Sequence, residues 1–208
     1  MGQSLESLRK SLGGEVPESF FVEMGEYLGK IHVFGPENFV LPGQGEYLGL
    51  KQDITQRIEK ILGEISAGGV LDTDLISRIK NFYLHSPFFE EEVSPSLLHG
   101  NYVFGNVMVR DERIVGIIDW EFSSFGHSEE ELATFLYRVC KTAAQRDLFI
   151  DGYKKQRSIS SDFEKRLLPY ALLYYLKVLP SVPAWTHRPD KQKEYLDETA
   201  KLIKEIGI

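Results

Sequence analysis

One stretch of this chain, residues 96–121, breaks a pattern that is otherwise helical, and it limits the folds available. Ser96 to His99 is short and apolar. Val107-Met108-Val109 and the run from Ile114 to Ile118 are rich in β-branched residues, and Asp111-Glu112-Arg113 stands between them as a turn, so the pair reads as a β-hairpin. Everywhere else the apolar residues recur at three and four. In 18–32 they are Phe20, Phe21, Met24, Tyr27, Leu28 and Ile31, with Pro17 suited to the first turn and Gly35-Pro36 closing the segment. A Gly-Pro-Glu-Asn loop runs on to about Gly45. Further helices are predicted over 46–65, ending at Gly68-Gly69, and over 72–84, capped by Asp72 or Thr73. After Glu129 the periodicity predicts helices over 129–141, 143–156, 161–179 and 190–206. The helix from Asp162 to Leu179 is apolar around most of its circumference, which predicts a buried central helix. Pro169 should kink that helix or mark its true start. No repeat, low-complexity tract or flexible linker interrupts the chain, so 1–208 reads as a single helical domain. The class is mainly α with a small β-hairpin.

Composition narrows the partners. Lys and Arg number 24 against 31 Asp and Glu, a formal charge of −7, which argues against a nucleic-acid surface and leaves room for a small cationic partner. The single Cys140 excludes an internal disulfide and a cysteine-only metal site. There is no apolar targeting segment, and Glu6 stands where a myristoylation signal needs Ser or Thr. The longest uncharged apolar run, 167–176, is about half a membrane span. These features predict a cytoplasmic protein with neither nucleic acid nor membrane as partner.

The chemistry is concentrated in Leu98-His99-Gly100-Asn101-Tyr102-Val103-Phe104-Gly105-Asn106, which leads into the hairpin, and in Ile117-Ile118-Asp119-Trp120-Glu121, which leaves it. A loop presents two amide side chains, and a strand pair then carries a carboxylate out at its end. Phosphoryl transfer needs groups of this kind, because the protein mainly positions the reactants and neutralises charge. Magnesium takes such hard oxygen ligands, one or two carboxylates with waters and phosphates completing its shell.

These residues resemble the aminoglycoside phosphotransferase and choline kinase families of the protein-kinase-like fold. Their catalytic loop reads His-Gly-Asp-x-x-x-x-Asn, followed by a hairpin and Ile-Asp-Trp/Phe-Glu. His99, Gly100, Asn106, Ile118, Asp119, Trp120 and Glu121 stand in register. The run Glu121-Phe122-Ser123-Ser124-Phe125 looks closer to choline and ethanolamine kinases. Tyr27-Leu28-Gly29-Lys30-Ile31-His32 resembles the Leu-x-x-Leu-His helix that opens the C-terminal lobe of aminoglycoside phosphotransferases. The resemblance implies the C-terminal lobe of that α+β fold, with ATP and Mg2+ as cofactors and Asn106 and Asp119 on the metal. It implies supporting roles for His99, which would hydrogen-bond the loop, and for Glu121. The acceptor would be a small molecule carrying a hydroxyl.

Two departures shape the expected function. Asn101 stands where the family's catalytic Asp belongs, and an amide cannot take up a proton, a loss of roughly 10²–10⁴ in rate. No Gly-x-Gly-x-x-Gly occurs and no strand-borne Lys precedes Glu18, while Gly13-Gly14 and Gly43-Gln44-Gly45 lack the context of a phosphate loop. The N-terminal lobe is therefore expected to be missing, and the chain to be inactive or severely impaired by itself. The alternatives are a non-catalytic pseudoenzyme module that binds a ligand or protein, and a half-enzyme completed by a separate N-lobe. A face left uncovered would favour a homodimer or a cover formed by residues 1–14.

Other residues read as structural. The family pattern continues with Gly-Asp-Pro and Asp-Leu-Ala, where this chain has Gly126-His127-Ser128 and Glu131-Leu132-Ala133. His127 is expected in a helix-entry loop, and His32, His85 and His187 lack metal-ligand spacing. Glu90-Glu91-Glu92 reads as a solvated run, although an acidic rim could attract an amine. Tyr174, Tyr175, Trp185 and Tyr195 read as core packing rather than an aromatic box for a quaternary ammonium, and Cys140 as buried and inert.

Overall fold

A computed structural model describes residues 2–37, 41 and 47–208. In chain order the elements are β1 (Gln3–Ser4), α1 (Leu5–Ser11), α2 (Glu18–Ile31), α3 (Leu50–Gly68), α4 (Thr73–His85), β2 (Ser96–Leu98), β3 (Val107–Arg110), β4 (Arg113–Ile117) and β5 (Ser124–Gly126). They continue with α5 (Ser128–Arg138), α6 (Ala143–Lys154), α7 (Phe163–Val178) and α8 (Pro189–Ile206). The architecture is mainly α with small antiparallel sheets, as the sequence predicts. The Gly43-Gln44-Gly45 stretch and the predicted helix start at Glu46 lie outside the described residues. None of the described helices is long and apolar enough to cross a membrane.

Contacts divide the chain into two compact units. The first comprises residues 1–47 and 94–161 and contains every residue of the candidate site. Its helical frame is the packing of α2 on α6, where glycines let the two backbones touch. A Cβ on Gly25 would collide with the Phe149 carbonyl, and one on Gly152 with the Val22 carbonyl. Phe20, Phe21, Met24 and Leu28 of α2 are buried here together with Phe149 and Tyr153 of α6.

The hairpin forms where its residues favour it. β3 and β4 pair antiparallel with Arg110 opposite Arg113, and the reversal between them is made by Asp111 and Glu112 at φ of 50° and 59°. Such left-handed pairs match the twist of the strands, and short acidic side chains tolerate them better than β-branched ones. The N-terminal segment adds a third strand, with Gln3 opposite Val109 and Ser4 opposite Met108, while Leu5 is fully buried. The other edge is capped by α2. The Ile114 N–H donates to Glu23, and the Ile114 carbonyl accepts from Tyr27 at 3.4 Å. A second, two-stranded sheet pairs β2 with β5, Leu97 lying opposite Phe125.

The second unit comprises residues 48–93 and 162–208 and is helical. Asp72 caps α4 by accepting from the Leu75 N–H at 2.8 Å. α7 is buried around most of its girth, as predicted, and runs through Pro169, which therefore does not mark the helix start. The Pro169 carbonyl accepts a 2.7 Å bond from the buried Tyr83 hydroxyl. Glu91 is paired with the buried Arg166 at 2.9 Å and Glu90 with Lys51 at 2.7 Å, so two of the three clustered acids are neutralised.

Candidate active site

Two hydrogen bonds join the loop between β2 and β3 to the exit from β4, and two more brace the loop internally. The Asn106 Nδ2 donates to the Asn101 carbonyl at 3.0 Å, and the Asn106 carbonyl accepts from the Ile118 N–H at 2.9 Å. His99 Nε2 donates to the Ile118 carbonyl at 2.9 Å, while its Nδ1 accepts the Asn101 N–H at 3.2 Å. Because one ring nitrogen meets a carbonyl and the other an N–H, the surroundings dictate the Nε2–H tautomer. Both backbone groups of Ile118 are thus bonded to the loop, and Asp119 is the next residue. The structure in this way brings Asn101, Asn106, His99 and Asp119 into one neighbourhood.

Asp119 itself is exposed and left-handed, with φ 69° and ψ 58°. For a non-glycine residue this costs about 1–2 kcal/mol and persists where the surroundings demand it. Replacing it with glycine relieves that cost but adds chain entropy to the unfolded state. Asp119→Gly is therefore expected to raise stability by about 0.5–1 kcal/mol, read as a higher urea midpoint at unchanged slope. A lowered midpoint would mean the carboxylate supports the turn. Glu121 is exposed in the short 3-10 turn that follows. Trp120 lies against the His99 ring, centroids 4.6 Å apart, and its indole N–H donates to the Ile117 carbonyl at 2.9 Å.

The loop is held from beneath by a carboxylate that motif reading passes over. Glu131 of α5, 6% exposed, accepts the His99 N–H at 2.8 Å on Oε2 and the Gly100 N–H at 2.6 Å on Oε1. Its Oε2 also meets His32 Nε2 at 3.1 Å, and His32 Nδ1 lies 2.9 Å from the Tyr153 hydroxyl. His32 is fully buried; burial pushes its imidazole below the ordinary value, and the bond to Glu131 opposes this. Burial likewise pushes the Tyr153 hydroxyl up to about 12. Gly100 turns left-handed at φ 81°, where a Cβ would run into the Phe122 carbonyl, so the loop admits only glycine there. The signal for Glu131 in the sequence was its place at the family's Asp-Leu-Ala position. His32 gave none beyond its helix-end motif.

His127 is buried at the entry to α5, 4.0 Å from Glu129. Among the described residues no three or more His, Cys, Asp or Glu side chains come together as a metal-ligand group. The rings of Trp185 and Tyr195 meet edge-on at 5.1 Å and those of Tyr174 and Tyr175 at 5.5 Å, and the hydroxyls of Tyr174 and Tyr195 lie 3.1 Å apart, so these rings pack on one another. Cys140 is buried and its thiol is pushed up to about 12, which leaves it protonated and unreactive.

The donor set fits magnesium. The Asn101 carbonyl can only accept, so the nitrogen of the Asn106 amide must face it. Oδ1 then remains as a hard oxygen acceptor, and the exposed Asp119 carboxylate supplies a second.

Residues 2–167 match the sequence profile of the APH phosphotransferase enzyme family. No curated protein sequence matches the chain. Among solved structures it is similar to a choline/ethanolamine kinase family protein from Mesorhizobium loti, with 17% identity, 98% of this chain and 66% of that one covered, and a TM-score of 0.67. The choline kinase of Cryptosporidium parvum is 15% identical, with 99% and 70% covered and a TM-score of 0.62. The macrolide 2′-phosphotransferase of Brachybacterium faecium is 14% identical, with 86% and 58% covered and a TM-score of 0.61. The chain thus spans 58 to 70% of the length of these structures, and the likeness shows a kinase-like fold.

Proposed function

Because the chain belongs to the phosphotransferase enzyme family, we propose that its loop and hairpin hold the metal-bound phosphates of ATP but support phosphoryl transfer only poorly. The observation that supports this reading is the hydrogen-bonded loop and hairpin exit, whose side chains include the oxygen donors of Asn106 and Asp119 and an amide, Asn101, at the position the family motif gives to its proton acceptor. Mg-ATP, when bound, supplies the transferable phosphoryl group and the metal that offsets its charge. Asn106 and Asp119 would hold the metal. Asn101 can orient an acceptor hydroxyl by hydrogen bonding but cannot remove its proton. Both nitrogens of His99 are engaged in fixing the loop, so it does not replace the missing base. Glu121 supports the exit of the hairpin. The acceptor class is a small molecule with a hydroxyl, and the charge of −7 favours a cationic one such as an amino alcohol. A single buried cysteine accords with a cytoplasmic setting.

A second reading draws on one observation. Val115, Ile118, Trp120 and Phe122 are 36 to 51% exposed around the hairpin exit, which favours a pseudoenzyme module covered there by another polypeptide, either a second copy or a separate N-lobe.

Calorimetry with Mg-ATP on the wild type and on Asp119→Gly separates the two. Binding that is lost in the variant is expected from the first reading, together with turnover below about 1 s⁻¹ on choline, ethanolamine and aminoglycosides, the low end for kinases. No heat in either protein favours the second reading, and turnover at or above that rate sinks the impaired-catalyst reading.

A further inference from the structure

We propose that His32 is a positioning residue for the 99–101 loop, acting through Glu131, and that it makes the loop's geometry depend on pH. This rests on reading residues 99–106 as the phosphotransfer loop, but the argument needs only the loop's own contacts.

The Glu131 Oε2 is shared. It accepts the His99 N–H at 2.8 Å and faces His32 Nε2 at 3.1 Å, so strengthening one contact draws the oxygen from the other. With the His32 proton on Nε2, Nδ1 accepts from the Tyr153 hydroxyl, and every group in the chain of contacts has a partner. A second proton on His32 changes two things. The ring becomes a cation that attracts Oε2, and Nδ1 becomes a donor, so the Tyr153 hydroxyl must turn to accept. The charged and titratable groups around the ring are Glu131 from α5, Tyr153 from α6, and Arg157 just beyond it, whose guanidinium donates to the His32 carbonyl. Glu129 also lies in the field of Tyr153. Arg157 and burial oppose the cation, and Glu131 favours it.

A proton is better accommodated on His32 than on Glu131. Glu131 meets an N–H on each oxygen, so an O–H there would leave one donor facing another. His32 is therefore the group through which acid reaches the loop. Loosening of the His99 N–H moves the imidazole beneath Trp120, and that indole reports the change.

The sign follows from linkage. A histidine held below its ordinary value of about 6.5 binds fewer protons folded than unfolded. Its contribution to stability is complete above that value and is lost as pH falls from it toward the depressed folded value. The test uses 1H–15N spectra of the two tryptophan indoles from about pH 8 to about pH 5, without nucleotide, with Trp185→Phe to assign the signals. The Trp120 signal is expected to shift with a midpoint below about 6.5. In His32→Gln, whose amide can still donate to Glu131, it should keep its position at neutral pH and lose that transition. A Trp120 signal that ignores pH, or an unchanged midpoint in His32→Gln, would overturn the proposal, since the transition would then belong to His99 or to a carboxylate. Should His32→Gln not fold, ring-nitrogen spectra of the wild type decide. A His32 midpoint equal to that of Trp120 supports the coupling, and a different midpoint overturns it. Mg-ATP is absent throughout, so a failure to bind nucleotide tells against the proposed function and leaves this result standing.

Discussion

Gly152→Ala is expected to destabilise the protein by about 3 kcal/mol, the upper end of the usual cost of overpacking. The alanine methyl would enter the space of the Val22 carbonyl, a backbone atom that cannot rotate aside. Gly25 makes the reciprocal approach, against the Phe149 carbonyl and the Tyr153 N–H. Two helices whose backbones touch at both glycines can admit a Cβ only by separating, and separation opens the buried layer of Phe20, Met24, Phe149 and Tyr153. The damage should extend to the site, because α2 ends at His32 and α6 carries Tyr153, which are bonded to each other. Urea unfolding should show the midpoint falling at unchanged slope. The thermal midpoint should drop by roughly 6–12 °C for a chain of this size. Gly63→Ala is the control: Gly63 lies inside α3 with nothing near its missing Cβ, and alanine there should stabilise by up to about 1 kcal/mol. Equal effects at both positions would show that helix propensity, not contact, governs Gly152.

These glycines mark where sequence legibility ended. Phe20, Phe21, Met24 and Leu28 announce the buried face of α2 because burial follows the helical period. Gly25 and Gly29 share that face, yet nothing local says which helix approaches them. The hairpin was legible for a similar reason, as β-branched runs around three polar residues leave few other folds. Its third strand was not, since two residues, Gln3 and Ser4, are too short for any period. The β2–β5 pairing joins three-residue segments across the whole hairpin and likewise leaves no periodic trace. Within the candidate site the loop and the exit carboxylate stand out through their resemblance to the family motif. Their support does not. Glu131 meets His32 across 99 positions in the chain and His99 across 32, and such contacts exist only once the chain has folded. Pro169 is a partial exception. Local rules let it start or kink a helix, and α7 begins six residues before it and runs through it.

Glu131→Asp is expected to cost on the order of 5 kcal/mol, although the family pattern carries Asp at this position. The change withdraws the carboxylate by one carbon–carbon bond, about 1.5 Å. The three contacts now measure 2.6, 2.8 and 3.1 Å, so each would pass beyond hydrogen-bond reach unless α5 moved toward the loop. Leu132, Ala133 and Phe135 are buried and hold α5 where it is. The His99 and Gly100 N–H groups and the His32 ring would then be left without their acceptor in a buried setting, where each lost bond to a charged group is worth about 1.5–3 kcal/mol. Glu131→Gln tests the same contacts differently. Its length is kept, but one oxygen becomes a donor that must face an N–H. Amide exchange at His99 and Gly100 reads the anchor directly, and both variants should lose protection there before global unfolding. Wild-type stability and protection in Glu131→Asp would show that the loop holds itself. The expected failure instead means that an acid of the family's kind is not sufficient, because helix position and side-chain length are matched to each other in this chain.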